Sequence, residues 1–226
     1  MSALGRPRLH LRRTDSTNER ARALARAGAP HGTLVTAAEQ TAGRGRQGRR
    51  WADEPGRSLL CSLVVRELDP LLSLRAGLAV ADAAGPGAEV KWPNDVLLDG
   101  RKVAGILVEG RPQEGWAVIG IGLNVAVDPE RLPAEARAVA GTLARAPEEV
   151  EPTLRALLRA LEARLAAPAA AVLTDLRERD ALCGRPLRWA GGEGTGAGID
   201  HAGRLLVRTA EGVRALDAGE VHLGSG

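Results

Sequence analysis

The stretch from residue 88 to residue 125 constrains the fold more than any other part of this 226-residue chain. Four strand candidates, residues 88–91, 95–98, 102–109 and 115–125, follow one another with only short turns between them. The last three are rich in Val, Ile or Leu, and Asp99-Gly100 is the dipeptide of a two-residue hairpin. Parallel neighbours need a crossover of about a dozen residues or more, and these turns leave no room for one. The sheet is therefore mostly antiparallel or mixed, which argues against a doubly wound parallel fold.

Other segments supply what covers such a sheet. Ser16-Thr17-Asn18-Glu19 has the spacing of a capping box and predicts a helix running through about Ala27, stopped by Gly28 and Pro30. Residues 33–38 and 58–65 are strand candidates, the second of them a strong buried strand. A helix follows over 72–84, closed by Gly85-Pro86-Gly87. Residues 153–166 form the clearest amphipathic helix: Leu154, Leu157, Leu158, Leu161 and Leu165 share a stripe, and Pro152 suits its first turn. A second helix is predicted over about 170–182. Beyond Cys183-Gly184 short runs at 186–189, 196–200, 204–208, 213–216 and 221–223 alternate with Gly-containing turns, the pattern of a small β-barrel or meander. The expected division is 1–182 and 183–226.

Composition narrows the function classes. The chain has 31 basic and 28 acidic residues, a net charge of +3, so it does not resemble a dedicated nucleic-acid binder. It has no Phe, no Tyr and four Trp, so the core must be aliphatic and ligand stacking must come from Trp, His or Arg. Cys61 and Cys183 lack metal-ligand spacing, and Cys61 sits in an apolar run as a small buried hydrophobe. No apolar run approaches the roughly 20 residues of a membrane span, and no signal peptide is evident, so a cytoplasmic protein with no membrane partner is expected.

Chemistry concentrates in four places. Gly43-Arg44-Gly45-Arg46-Gln47-Gly48-Arg49-Arg50-Trp51 puts four arginines and three glycines into nine residues, a loop suited to closing around a small anionic ligand. Lys91-Trp92-Pro93-Asn94-Asp95 marks a strand end turning sharply, where Asn and Asp either bond local backbone or face a phosphate-bound metal or ribose. In Lys102-Val103-Ala104-Gly105-Ile106-Leu107-Val108-Glu109, a glycine within the strand marks close backbone approach to a ligand. Gly120-Ile121-Gly122-Leu123-Asn124 is a strand end, or a tight turn that holds Asn124 against a ligand.

Together with Ser16-Thr17-Asn18 and Gln40, and in this order, these segments resemble the bacterial biotin protein ligases across about residues 10–125. The resemblance implies an α+β architecture: a mixed/antiparallel central sheet flanked by helices, the class II synthetase-like biotin/lipoate ligase fold, with a small C-terminal SH3-like β-barrel. It implies activation of biotin by MgATP to biotinyl-5′-AMP, then transfer to a lysine of a biotin carboxyl carrier protein domain. Lys102 and Arg46 would be catalytic. Ser16, Thr17, Asn18, Gln40, Gly43, Arg44, Gly45, Arg46, Lys102 and Gly105 would bind biotin. Arg46, Arg49, Trp51, Lys91, Asn94, Asp95, Lys102 and Asn124 would bind ATP or the adenylate, with Asp95 near Mg2+. Trp51 would stack on adenine, whereas Trp92 belongs to the core. The glycine-rich loop is expected to be mobile without ligand and ordered over it. Catalytic motifs beginning by about residue 14 leave no room ahead of them for a helix-turn-helix, so no DNA-binding or repressor role is expected; a homodimer is possible within the family. A lipoate or octanoate ligase or transferase is the nearest rival, and a basic nucleic-acid-binding protein the more distant one.

Overall fold

The computed structural model describes residues 4–217 and 219–224. Its central sheet has seven strands: β1 (Arg8–Leu11), β2 (Leu34–Ala37), β3 (Ser58–Val65), β4 (Glu89–Lys91), β5 (Asp95–Leu98), β6 (Arg101–Arg111) and β7 (Trp116–Asn124). Their order is β1-β2-β3-β7-β6-β5-β4, with β1 and β2 parallel and every other pair antiparallel. The expected hairpin joins β5 to β6, and Asp99 and Gly100 take φ of 51° and 73°. Two successive positive φ values match a type I′ turn, whose twist suits the flanking strands.

Strand β1 carries no pattern by which sequence alone would find it. Its residues are mostly exposed, and it is held by pairing with β2 and by Thr36, whose Oγ1 accepts Arg8 Nε at 3.1 Å and lies 2.9 Å from His10 Nδ1.

Helix α1 (Thr17–Arg26) covers one face of the sheet, burying Ala21 and Ala25 against Val35, Val64, Trp116 and Val118. Helices α2 (Leu72–Ala84), α4 (Val150–Ala166) and α5 (Ala169–Glu178) build the larger core; α3 (Ala134–Arg137) is a single turn near the sheet's end. Cover on both faces explains why every residue of β3 is buried. Burial also pushes the Cys61 thiol up to about 12, consistent with its reading as a small hydrophobe. The leucine stripe of α4 is as expected: Leu154, Leu157 and Leu161 are buried, and Leu158 and Leu165 pack at their edge.

The capping box at α1 does not form. Ser16 occupies the N-cap position in extended conformation, but its side chain makes no capping bond, and Glu19 pairs instead with Arg22 and Arg44. Helix α5 stops four residues short of the expected end, because Val90 N donates to Arg179 O and Ala181 N to Val90 O, drawing the chain onto the sheet edge. Arginines satisfy helix ends that have run out of partners. Arg75 donates to the Arg164 carbonyl of α4 and the Ala167 carbonyl just beyond its end, and Arg145 to the Ala83 and Ala84 carbonyls of α2.

The C-terminal strands β8 (Pro186–Trp189), β9 (Gly192–Ile199), β10 (Leu205–Thr209), β11 (Gly212–Leu216) and β12 (Val221–Leu223) form a second antiparallel sheet, ordered β11-β10-β9-β8-β12. Among the described residues this ladder is open, with β11 and β12 as edges, so the expected closure into a barrel is not seen. Strand β9 begins earlier than expected, at glycines that sequence assigns to a turn. A Cβ on Gly196 would lie 2.0 Å from Leu182 O, so glycine there admits a crossing backbone. Trp92 is core, as expected: its Nε1 donates to Gly203 O at 3.0 Å and ties the Lys91–Asp95 turn to this second sheet.

Candidate active site

Glycines shape the floor of the site. Gly105 on β6 is directly opposite Gly122 on β7, and Gly120 lies two residues from Gly122 on the same face. The trough they leave is filled from above by side chains that no larger residue would admit. A Cβ on Gly122 would sit 2.4 Å from Trp51 Cε2, one on Gly105 3.0 Å from Trp51 Cζ3, and one on Gly120 1.9 Å from Asn18 Oδ1. Above this floor opens a cavity of about 750 Å³, bounded by the start of α1, the arginine-glycine loop, the Asn94-Asp95 turn and residues 132–140.

One side of the cavity is cationic. Lys102 Nζ lies 2.7 Å from Asp95 Oδ1 and 5.9 Å from the Trp51 ring centroid. Asn94 accepts Arg46 at 2.8 Å on Oδ1 and donates through Nδ2 to Asp95 Oδ1 and Ile106 O. Lys91 Nζ is 3.8 Å from Asp95 Oδ2, and burial holds its ammonium below the usual lysine range. The other side presents neutral polar side chains around Thr17, with Arg44 already paired to Glu19 and Glu109. Gln40 Oε1 accepts the Thr17 backbone N–H at 2.8 Å and lies 3.1 Å from Thr17 Oγ1. Beneath them Ser62 Oγ is 2.8 Å from Thr17 Oγ1 and 2.6 Å from Asn18 Oδ1. An anion would settle at the first side and a neutral hydrogen-bonding group at the second.

Most of the expected site residues converge here. Ser16, Thr17, Asn18, Gln40, Arg44, Gly45, Arg46, Arg49, Trp51, Asn94, Asp95, Lys102, Gly105 and Asn124 line the cavity. Gly43 lies outside that lining; a Cβ there would be 2.6 Å from Trp51 O, so it serves the turn of the loop. Lys91 also lies outside, in an adjoining crevice with Arg46, Arg49 and Glu220. Asn124 is in strand rather than in a turn, and its Nδ2 donates to Gly141 O at 2.9 Å. Its Oδ1 and Trp51 Nε1 are buried polar atoms without a hydrogen-bond partner, so each retains capacity for one.

Each loop arginine is bound to a protein acceptor. Arg44 pairs with Glu19 and Glu109, Arg46 bonds Asn94, Arg49 pairs with Glu220 from the second sheet, and Arg50 donates to Thr41 O.

Sequence reading missed several participants. Glu19 and Glu109 hold Arg44, although the sequence marks Glu19 only as part of a capping box and Glu109 only as the end of the Lys102–Glu109 motif. Ser62 is a polar residue in the interior of an otherwise apolar strand, and that break in the run is its signal. Residues 132–140 form the far wall without any motif. Asp53 lines the cavity, and burial pushes its carboxyl up to about 6, with Glu39 adding to the rise and a bond from Gln40 N opposing it. Among the described residues no group of three or more His, Cys, Asp and Glu side chains could hold a metal ion, and no helix is long and apolar enough to cross a membrane.

Residues 10–125 match the model of the biotin/lipoate A/B protein ligase family, and residues 193–224 that of the biotin protein ligase C-terminal domain. The biotin–[acetyl-CoA-carboxylase] ligase of Mycobacterium tuberculosis is 39% identical over 93% of this chain and 86% of its own length. The protein of that name from Paracoccus denitrificans is 37% identical over 95% of this chain and 99% of its own length. The structure of the Aquifex aeolicus biotin protein ligase in complex with biotin and ATP superposes with a TM-score of 0.83, at 27% identity, over 97% of this chain and 100% of that one.

Proposed function

Because this chain belongs to the biotin/lipoate A/B protein ligase family, we propose that it is a biotin–protein ligase using ATP. The biotin carboxylate attacks the α-phosphorus of MgATP and pyrophosphate leaves, giving biotinyl-5′-AMP. The amine of an acceptor lysine then attacks the acyl carbon and AMP departs. The acceptor is a biotin carboxyl carrier domain, the substrate class that the relatives' names imply.

The observation that carries this reading is the division of one cavity into a cationic and a neutral side. Bringing a carboxylate to a triphosphate requires fixed positive charge, and Lys102 with Arg46 supplies it. We assign Lys102 to the biotin carboxylate and α-phosphate, and Arg46 with Arg49, Lys91 and Asn94 to the remaining phosphates. Thr17 and Gln40 take the ureido ring, with Ser16, Asn18, Gly43, Arg44 and Gly45 closing around it. Trp51, Gly105 and Asn124 take the adenylate, and the indole forms its wall. Mg2+ enters with the nucleotide as part of the substrate. Asp95 is the carboxylate beside that position, and its bond to Lys102 sets how much of it a metal can claim. A unit of residues 1–182 performs the chemistry, and 183–226 steadies the loop through Glu220. No nucleic-acid partner is proposed, in keeping with a net charge of only +3.

The test is transfer of labelled biotin to a carrier domain with MgATP, beside Lys102→Ala. ATP-dependent label that falls by about 100-fold or more in the variant is expected. Absence of both labelled acceptor and biotinyl-5′-AMP with the native chain rejects biotin and favours lipoate or octanoate.

A further inference from the structure

Ser62 is fully buried on β3, beneath the neutral side of the cavity, and touches two residues that line it. A hydroxyl has one hydrogen, so Ser62 cannot donate to both Thr17 and Asn18. The surroundings of Asn18 decide which receives it. Asn18 Nδ2 faces two acceptors, Glu109 Oε2 at 2.8 Å and Leu107 O at 3.3 Å. The reverse orientation would set the amide oxygen against the Glu109 carboxylate, so Oδ1 faces Ser62. That oxygen is pressed onto Gly120, and the nearest donor given to it is Ser62 at 2.6 Å. Ser62 therefore donates to Asn18.

The consequence passes to Thr17. With its hydrogen committed, Ser62 Oγ must accept at 2.8 Å, or two oxygens would face each other with lone pairs only. Thr17 thus gives its hydrogen to Ser62 rather than to the more distant Gln40 Oε1, which already takes the Thr17 backbone N–H. What Thr17 Oγ1 has left for the cavity is lone pairs.

We propose that Ser62 is a positioning residue that fixes the Thr17 hydroxyl as an acceptor, so that this pole of the site selects a ligand presenting an N–H. The proposal rests on the biotin reading, since the ureido ring supplies such an N–H. A ligand with oxygen at that position would meet oxygen at Thr17.

The experiment measures KM and kcat for adenylate formation with biotin and with the two cyclic carbamates in which oxygen replaces one ureido N–H. Native enzyme, Ser62→Ala and Ser62→Thr are compared. The native chain should disfavour one carbamate by at least tenfold in KM. In Ser62→Ala the Thr17 hydrogen is held only by the longer contact to Gln40 Oε1, which is shared with the Thr17 backbone N–H, and can turn toward the ligand, so that ratio should fall below threefold. Ser62→Thr, which keeps the hydroxyl, should restore it. Should Ser62→Ala not fold, Ser62→Cys carries the same test, because its thiol is a weak donor. An unchanged ratio in the folded variant overturns the proposal and leaves the ligase reading intact. A native chain indifferent to both carbamates overturns it as well. A native chain that makes no biotinyl-5′-AMP fails the ligase reading first.

Discussion

Substituting Gly122 by Ala tests whether the glycine floor exists to seat Trp51. The added Cβ would lie 2.4 Å from Cε2, 2.7 Å from Nε1 and 2.8 Å from Cδ2 of the indole. Ordinary carbon–carbon contact begins at about 3.5 Å, so the ring must withdraw by roughly 1 Å. The sheet lies below it and the cavity above, so the ring moves into the space assigned to the ligand. Overpacking of this kind costs about 1–3 kcal/mol, and the open side puts this case at the lower end. A melting temperature lowered by roughly 2–4 °C is expected. Activity should suffer far more, because a displacement of about 1 Å at a reacting site can cost around 100-fold. The assay is single-turnover formation of biotinyl-5′-AMP, run as a cycle with Trp51→Ala and the double variant. If the indole transmits the effect, Gly122→Ala should cost little once Trp51 is gone. An equal loss with and without Trp51 would refute the reasoning.

Other expectations concern charge, burial and loop motion. Asp53 holds its proton more tightly folded than unfolded, its carboxyl moving from the usual 3.8 to about 6. The native state therefore binds more protons between those values, and stability falls as pH rises through that window. After allowance for the solvent this half-buried group still sees, the loss is roughly 1–2 kcal/mol. Melts of Asp53→Asn between pH 4 and about 6.5 should lose that slope, and an unaltered slope would exclude Asp53 as its source. Arg75→Met should destabilise by about 2–4 kcal/mol in urea, since it leaves Asp69 and the Arg164 and Ala167 carbonyls without their buried donor. A loss under about 0.5 kcal/mol would show that water replaces the guanidinium there. Limited proteolysis within residues 43–50 should slow on adding biotin and MgATP, and equal cleavage in both states would remove the lid role from the loop.

Sequence alone determined what depends on neighbouring residues. The Asp99-Gly100 turn, the leucine stripe of α4 and the apolar run of β3 are local patterns, and each became the element that its pattern dictates. The expected site residues also came from contiguous motifs, because a loop that approaches a ligand needs glycine and a phosphate site needs fixed cations. What the sequence could not show is which groups meet across the fold. Strand β1 is made by its pairing with β2, not by its own composition. Ser16 and Glu19 had the spacing of a capping box, yet Arg22 and Arg44 offered Glu19 stronger, charge-assisted partners. Ser62, Glu109 and Asn18 lie far apart along the chain, and only the packing of α1 onto the sheet lets Asn18 bond both of the others. Open ladder edges in the second sheet likewise follow from long-range pairing. Local propensity fixes elements and the chemistry that a segment carries; the direction of a shared proton, or the partner of a charge, is fixed only when distant segments pack.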